Sequence, residues 1–428
     1  MIASLKSPRG TLVVLLIGIL LFHLGSYMVL PILPLFLKVQ KGLSITEIGL
    51  VLAVSPFTFQ VGSMLGGVLA DRIGRRTIIG IGAWINAAAL MGYTIANEVW
   101  LFILVGLLSG FGIGLNAPAT KAAIAAIASS GNKQTTAFSM RGIAANIGTA
   151  AAGLLTFYIL GGTSNFVFYT AAAMFILLGL MSWTLLPRGC GEEACSKIPI
   201  KSYFSIFQNK AFVAFSVMSM LLWALYAQFA LSMPLRAENV LPDPSMVSLV
   251  WTVNSFVVII LQTPISRWMI DKIHPYFSLS VGMLFLGGGL GTIYWSNSFY
   301  GFVMSGVIFI IGEMLIVPTM DSAISRFGTA QMVGMLFGLA NFVSGVGEST
   351  GKFVGGQLLS FGTNSIVPWL TFTIAAVITS GLWALLRFSN SVQKPSPDSL
   401  AAERLQNNDG KPNHSFIDWV LGRKNKAR

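Results

Sequence analysis

The chain has 428 residues, of which 54% are hydrophobic and only 10% charged, and its mean hydropathy is +0.74. Soluble domains carry about 25% charged residues, so a large soluble protein is excluded: this surface needs lipid to cover it. The formal charge of +12 does not signal nucleic acid, because Lys and Arg fall in short loops between apolar runs and build no continuous basic face.

Apolar runs of about 20 residues, the length that crosses a bilayer, recur twelve times. They cover 11–37, 46–70, 77–97, 99–121, 136–160 and 166–187, then 210–235, 246–270, 276–296, 299–325, 332–361 and 366–388. The first follows Lys6 and Arg9 as a leader would, but no small-residue cleavage site comes after it, and it reads as a span. Between the sixth and seventh runs, 188–209 is polar and carries Arg188, Glu192, Glu193, Lys197 and Lys201. Cys190 and Cys195 lie in this stretch. Their spacing is a poor metal or redox signature, and they read as reduced cytoplasmic thiols. The end of the chain is polar and basic; within it SFIDWVLGRK reads either as a short helix on lipid headgroups or as an unstructured stretch.

The expected fold is therefore an all-α membrane protein of twelve transmembrane helices. Residues 1–187 form one six-helix bundle, 188–209 a cytoplasmic linker, 210–388 a second bundle and 389–428 a cytoplasmic tail. Orientation follows from loop charge. With the N-terminus inside, that side receives Arg72, Arg75, Arg76, Lys121, Lys133, Arg141, Arg188, Arg267, Lys272, Arg326 and the basic tail. Only Lys38, Lys41 and Arg236 fall outside. This is a strong positive-inside bias, and it puts both termini in the cytoplasm.

The two halves repeat. Shifted by 200 residues, PLF at Pro34 meets PLR at Pro234, DRIGR at Asp71 meets DKIHP at Asp271, and Pro118 meets Pro318. At a slightly larger offset, GTAAAG from Gly148 meets GKFVGG from Gly351. Internal repeats in a membrane protein imply two bundles meeting at a pseudo-symmetric interface, with a site near mid-membrane and a rocking motion that gives alternating access.

The stretch GGVLADRIGRRTIIG, Gly66 to Gly80, resembles the signature loop between the second and third helices of the major facilitator superfamily. Gly67, Asp71, Arg72, Gly74, Arg75 and Arg76 carry the match, and Asp271 marks its echo. The resemblance implies a cytoplasmic gating latch. Gly67 would let the second helix touch the other bundle, Asp71 would face the positive end of the eleventh helix, and the arginines would pair with carboxylates or headgroups. Within the superfamily the chain is most similar to the twelve-span bacterial drug-export branch. GTAAAG and GKFVGG resemble that branch's GPxxGG pattern, with Thr149 and Lys352 in place of its Pro. IGEMLIVP, which holds Glu313, resembles its GExxxxP stretch. The position that carries an Arg in exporters is Gly106 here.

Charges at mid-membrane cost about 3 kcal/mol or more, so polar residues inside spans are functional candidates. Glu313, Glu348, Lys352 and His23 are the candidates for proton coupling. Glu348 and Lys352 are one helical turn apart and can pair. Arg141, one turn inside the fifth helix, reads first as snorkelling to the cytoplasmic headgroups. Asp321 sits near the inner end of its span, facing Lys121 or Arg326. The helices that line the cavity in this family carry Tyr27, Asn116, Arg141, Asn146, Tyr226, Gln228, Asn254 and Asn341. Trp223, Met218 and Met220 offer an adaptable apolar wall.

The sequence holds no phosphate-cradling Gly-rich loop before Lys-Ser/Thr, no HExxH and no Gly-x-Ser-x-Gly elbow. Neither an enzyme nor ATP drive is expected, and no cofactor. The reading is a monomeric, proton-gradient-driven exporter of amphipathic small molecules in the bacterial cell membrane. Symport, or export of one metabolite, siderophore or lipid, is the alternative on the same scaffold; a non-transporting receptor is the third.

Overall fold

The computed structural model describes residues 8–127, 132–187, 210–265, 269–270, 272–325 and 333–386. The linker, the tail, Cys190, Cys195, Arg326 and Asp271 lie outside them. Among the described residues twelve helices have 18 residues or more. In chain order they are α1 Pro8–Val29, α2 Ile45–Ile73, α3 Arg75–Ile95, α4 Val99–Ile127, α5 Asn132–Tyr158, α6 Asn165–Leu185, α7 Lys210–Ala237, α8 Val247–Ile265, α9 Pro275–Thr292, α10 Phe299–Ser325, α11 Val333–Leu359 and α12 Ile366–Leu386.

Each helix falls on an expected run, and the departures have local causes. The first run was expected to 37, but α1 ends at Val29 because Pro31 and Pro34 cannot donate to a continuing ladder. The apolar residues after them form a short turn, Leu33–Leu35, and a π turn, Phe36–Gln40. Ser44 begins α2 with a capping box: its hydroxyl accepts from the Glu47 amide while Glu47 accepts from the Ser44 amide. Gly74 joins α2 to α3 with φ +98°, a conformation that a side chain would strain.

Ten stretches among the described residues are long and apolar enough to cross a membrane, by length and composition. Helices α5 and α11 fall short, although both were expected to span. They carry Arg141, Asn146 and Thr149, and Ser344, Glu348 and Lys352. They are also the helices that pack across the halves: α5 lies against α1 and α8, and α11 against α7 and α2. Contact with protein on two sides frees them from the composition that lipid imposes.

The packing repeats along the chain. Contacts of α1 with α5, α2 with α4, α3 with α4 and α3 with α6 recur as α7 with α11, α8 with α10, α9 with α10 and α9 with α12. The repeat extends to single glycines. A Cβ on Gly82 would lie 2.6 Å from the Gly112 carbonyl oxygen, and one on Gly112 2.7 Å from that of Gly82. The partners 200 positions on do the same: 3.1 Å from Gly282 to the Gly312 oxygen and 2.6 Å in return. Small residues let membrane helices touch backbone to backbone, so α3–α4 and α9–α10 are the same joint built twice.

The three cations on the sparsely charged face all have structural partners. Lys38 pairs with Glu238. Lys41 Nζ donates to the Thr94 and Ala96 carbonyls, both at 2.8 Å, at the C-terminus of α3. Arg236, 7% exposed, donates to the Tyr294 carbonyl at 3.0 Å just past α9, and to the Asn364 side chain. Cations at helix C-termini complement the dipole, so the third helix of each half is clamped at the same end. Arg236→Ala removes the charge-assisted hydrogen bonds of a buried guanidinium and is expected to destabilise the fold by about 1.5–3 kcal/mol, read as a lower midpoint of thermal unfolding in detergent.

Candidate functional site

A central cavity of about 420 Å3 lies between residues of α1, α5, α7, α8, α10 and α11. It adjoins a wider vestibule of about 900 Å3, lined by α2, α4, α7 and α11. Glu348, Lys352 and Leu30 line both. The vestibule reaches exposed residues in the parts of the helices nearest Asp71: Met64, Lys121 and Asn341.

The opposite face is shut by contacts between the halves. Besides the Lys38–Glu238 pair, the Ser349 hydroxyl donates to the Ala53 carbonyl at 2.5 Å, and the Thr252 hydroxyl to the Ala150 carbonyl at 2.9 Å. Gly49 of α2 meets Gly356 of α11 so closely that a Cβ on Gly49 would lie 2.7 Å from the Gly356 Cα. The molecule is therefore open toward the Asp71 face and closed at the Lys38 face.

Within the central cavity, Glu313 of α10 accepts a hydrogen bond from the Tyr226 hydroxyl of α7 at 2.9 Å. An aromatic wall surrounds this pair. Tyr226 meets Trp223 and Phe309 at 4.9 and 5.4 Å between ring centroids, and Phe229 stacks on Phe309 at 4.2 Å. Trp251 closes the wall against Phe229 at 5.4 Å. From α1, His23 stacks on Tyr27 at 5.8 Å, and both line the cavity. Lys352, itself buried, donates to Glu348 at 2.7 Å. Asn146 lines the cavity and donates to the Gly142 carbonyl at 3.0 Å. The buried Asn254 presents a side-chain oxygen with no protein donor. A carboxyl among aromatic rings suits a cation or a proton; the amide oxygen offers an acceptor to an incoming donor.

Several expected positions lie elsewhere. Gln228 does not face the cavity: its amide donates to the carbonyls of Ala224 at 2.8 Å and Gly351 at 2.7 Å, tying α7 to α11. Asn116 is buried, donates to the Ile79 carbonyl at 3.1 Å and lines a side hollow. Arg141 is half-buried and lines the same hollow, with its Nε buried without a partner among the described residues. Asn341 is exposed in the vestibule. Met218 is packed in the core, and the Met220 backbone lies against Gly347.

At the signature loop, Asp71 and Arg72 lie in the last turn of α2. Arg76 donates to the Trp183 carbonyl at 3.2 Å, in the last turn of α6, and the Ser182 hydroxyl donates to the Arg76 carbonyl at 2.7 Å. The helix end supplies the negative partner. Arg75 has its Nε buried without a partner. The contact expected at Gly67 is absent, since a Cβ there would meet nothing within 4 Å; the open vestibule keeps the halves apart on that face. Gly66, its neighbour, is the one that packs, against Leu115 of α4.

Trp251, Phe229 and Phe309 were not singled out from the sequence, where aromatic residues in apolar spans look the same whether they face lipid or cargo. A signal was present: Phe309 lies one turn before Glu313 and so shares its face.

Residues 15–351 match the Major Facilitator Superfamily. An uncharacterized MFS-type transporter of Bacillus subtilis (strain 168), YqjV, is 26% identical over 375 residues, 85% of this chain and 90% of the relative. The multidrug resistance protein MdtH of Escherichia coli (strain K12 / DH10B) is 24% identical over 369 residues, 85% of this chain and 91% of the relative. Among solved structures, a mutant of the nucleoside transporter NupG superposes with a TM-score of 0.80 at 15% identity, covering 88% of this chain and 99% of that one. A POT family transporter bound to a thioalcohol-conjugated peptide gives 0.76 at 14% identity, covering 92% and 100%. These structural likenesses establish the fold.

Proposed function

The chain belongs to the major facilitator superfamily, and from that premise we propose that it is a secondary active transporter which exports amphipathic, cationic or zwitterionic small molecules in exchange for protons. The observation that carries the reading is Glu313, a carboxyl in the central cavity, held by Tyr226 and ringed by Trp223, Phe309 and Trp251. A cation can take the place of a proton at such a group, because the rings and the carboxylate attract either charge while the low-polarity wall disfavours an unpaired carboxylate. Competition of this kind for one site is the simplest basis for exchange. The relative named as a multidrug resistance protein supports the cargo class.

All twelve helices cross the bilayer in this reading, as two bundles, 1–187 and 210–388, joined by 188–209 and followed by the tail 389–428. The repeated packing and the matched glycine joints support that division. Both termini lie in the cytoplasm of a bacterial cell, and the monomer is the working unit. The Asp71 face is then inward, and the structure is the inward-open state, ready to take cargo from the cytoplasm or inner leaflet.

Two pairs of opposite charge support rocking about the pseudo-two-fold axis. Lys38 and Glu238 stand 200 positions apart, hence at equivalent places in the two halves, and pair at the closed outer mouth. Lys121 and Asp321 are also 200 apart, 321 less 121. They sit at the inner mouth, within electrostatic reach of each other but with no ion pair formed among the described residues. Equivalent positions face each other across the axis, so closing either mouth brings its own pair together. In the outward state the inner pair forms, the Asp71 latch engages and the outer pair parts.

The test is transport in proteoliposomes with a pH gradient imposed in each sense, using cargo found by growth inhibition in a pump-deficient host. Accumulation against the cargo gradient, driven by protons moving the other way, supports exchange. Accumulation with protons moving the same way identifies a symporter, and binding without counterflow a receptor. Asp71→Asn is the control expected to impair cycling.

A further inference from the structure

The second half of the chain places two charges in the central cavity where the first half has none. In the repeat that sets Gly148 against Gly351, Ala145 corresponds to Glu348 and Thr149 to Lys352. All four line the central cavity. Lys352 donates to Glu348 at 2.7 Å, with 9% of the Lys352 side chain exposed and 32% of that of Glu348. Desolvation offsets most of the attraction in a buried ion pair, so it contributes little net stability. The first half builds the equivalent stretch of α5 without such a pair. Its use in α11 lies elsewhere.

That use follows from counting charge. Among the described residues that line the central cavity, the carboxylates and ammonium groups are Glu313, Glu348 and Lys352. Both carboxyls lie within electrostatic reach of Tyr27 and Tyr226, so they act on one space. With Lys352 holding Glu348, Glu313 alone is left to balance a cargo. One positive charge cancels it inside the aromatic wall. A second would find no free carboxylate there and would face the Lys352 ammonium. Without Lys352 the same cavity would carry two free carboxylates and suit two positive charges.

We propose that Lys352 sets the charge of the cargo: by holding Glu348 it restricts the site to molecules with a single cationic group. This rests on the cationic-cargo reading above and gives it a specificity residue.

The test is calorimetric titration of the full chain in phosphatidylcholine nanodiscs, with empty discs as the blank. It is run at about pH 8, where the imidazole of His23, which also lines the cavity, carries no charge in its ordinary range. The probes are hexyltrimethylammonium and hexamethonium, which share a six-carbon chain and carry one or two quaternary ammonium heads. The unaltered protein is expected to bind the first about tenfold or more tighter than the second. Lys352→Gln should strengthen hexamethonium binding by about tenfold or more and reverse the order. Lys352→Met, which drops the charge and keeps an apolar stem, should do the same. In both, Glu348 reaches the vestibule, where water supports its carboxylate. Replacing Lys352 and Glu348 together by Gln should restore the preference for one head, which damage to the fold from losing Lys352 would not allow. If hexyltrimethylammonium binds but the order is the same in Lys352→Gln and Lys352→Met as in the unaltered protein, the proposal is overturned and the cationic-cargo reading stands. Equal binding of the two probes by the unaltered protein, or a double variant that still prefers hexamethonium, overturns it in the same way. Binding of neither probe by any of these proteins overturns both.

Discussion

In inverted membrane vesicles containing Glu313→Gln, pH-gradient-driven movement of a cationic dye is expected to drop to the level of vesicles without the protein, with the variant present in the membrane at normal amount. Gln keeps the size and can still accept from the Tyr226 hydroxyl, now 2.9 Å from the carboxyl, so the cavity wall survives. What disappears is the group that binds either a proton or a cationic cargo. Tyr226→Phe should be milder: it removes one hydrogen bond, worth about 0.5–1.5 kcal/mol, and slows transport by a factor of about 2–10. Glu348→Gln separates the two carboxyls, because Glu348 is already neutralised by Lys352 at 2.7 Å. Normal dye movement in Glu313→Gln would take that residue out of the mechanism.

Reversing one charge at the closed mouth is expected to open it. Lys38→Glu sets two carboxylates face to face where Lys38 and Glu238 now pair. Losing a half-buried pair that solvent still screens forfeits about 1 kcal/mol or less, and adding repulsion brings the change to about 1.4 kcal/mol, a tenfold shift toward the outward-open form. An impermeant maleimide added from outside should then label a cysteine at Asn146 in the central cavity about ten times faster. Combining Lys38→Glu with Glu238→Lys should restore slow labelling, which a general loosening of the fold would not do. The inner pair should mirror this: Lys121→Glu prevents inward closure and holds the protein in the state seen here. Failure of the double exchange to restore the closed mouth would remove the ion pair from gating.

The parts legible in the sequence were those dictated by solvent. Each apolar run became a helix because a backbone in lipid must satisfy its own hydrogen bonds, and among the described ends α1 stops at the prolines after Val29, while Ser44 and Gly74 bound α2. The 200-residue repeat was visible at Pro34 and Asp71, and the structure extends it to Gly82, Gly112 and their partners. Glu313 was legible as a costly charge in an apolar stretch. Gln228 and Asn116 were not separable from cavity residues, since a polar side chain that ties two helices has the same local sequence signature as one that faces cargo.

Composition and spacing alone thus determined that this chain lies in a membrane as repeated helices, and which buried charges invite explanation. Tertiary packing decided how those charges are used. It brought Glu313 to Tyr226 from 87 residues away, closed Lys38 on Glu238, and left Lys121 and Asp321 apart. It also withdrew Gln228 from the cavity, tying α7 to α11 instead. The reason is physical: lipid acts on each helix separately and leaves its mark on local composition, whereas the contacts that make a site depend on which faces meet, and any one helix offers several.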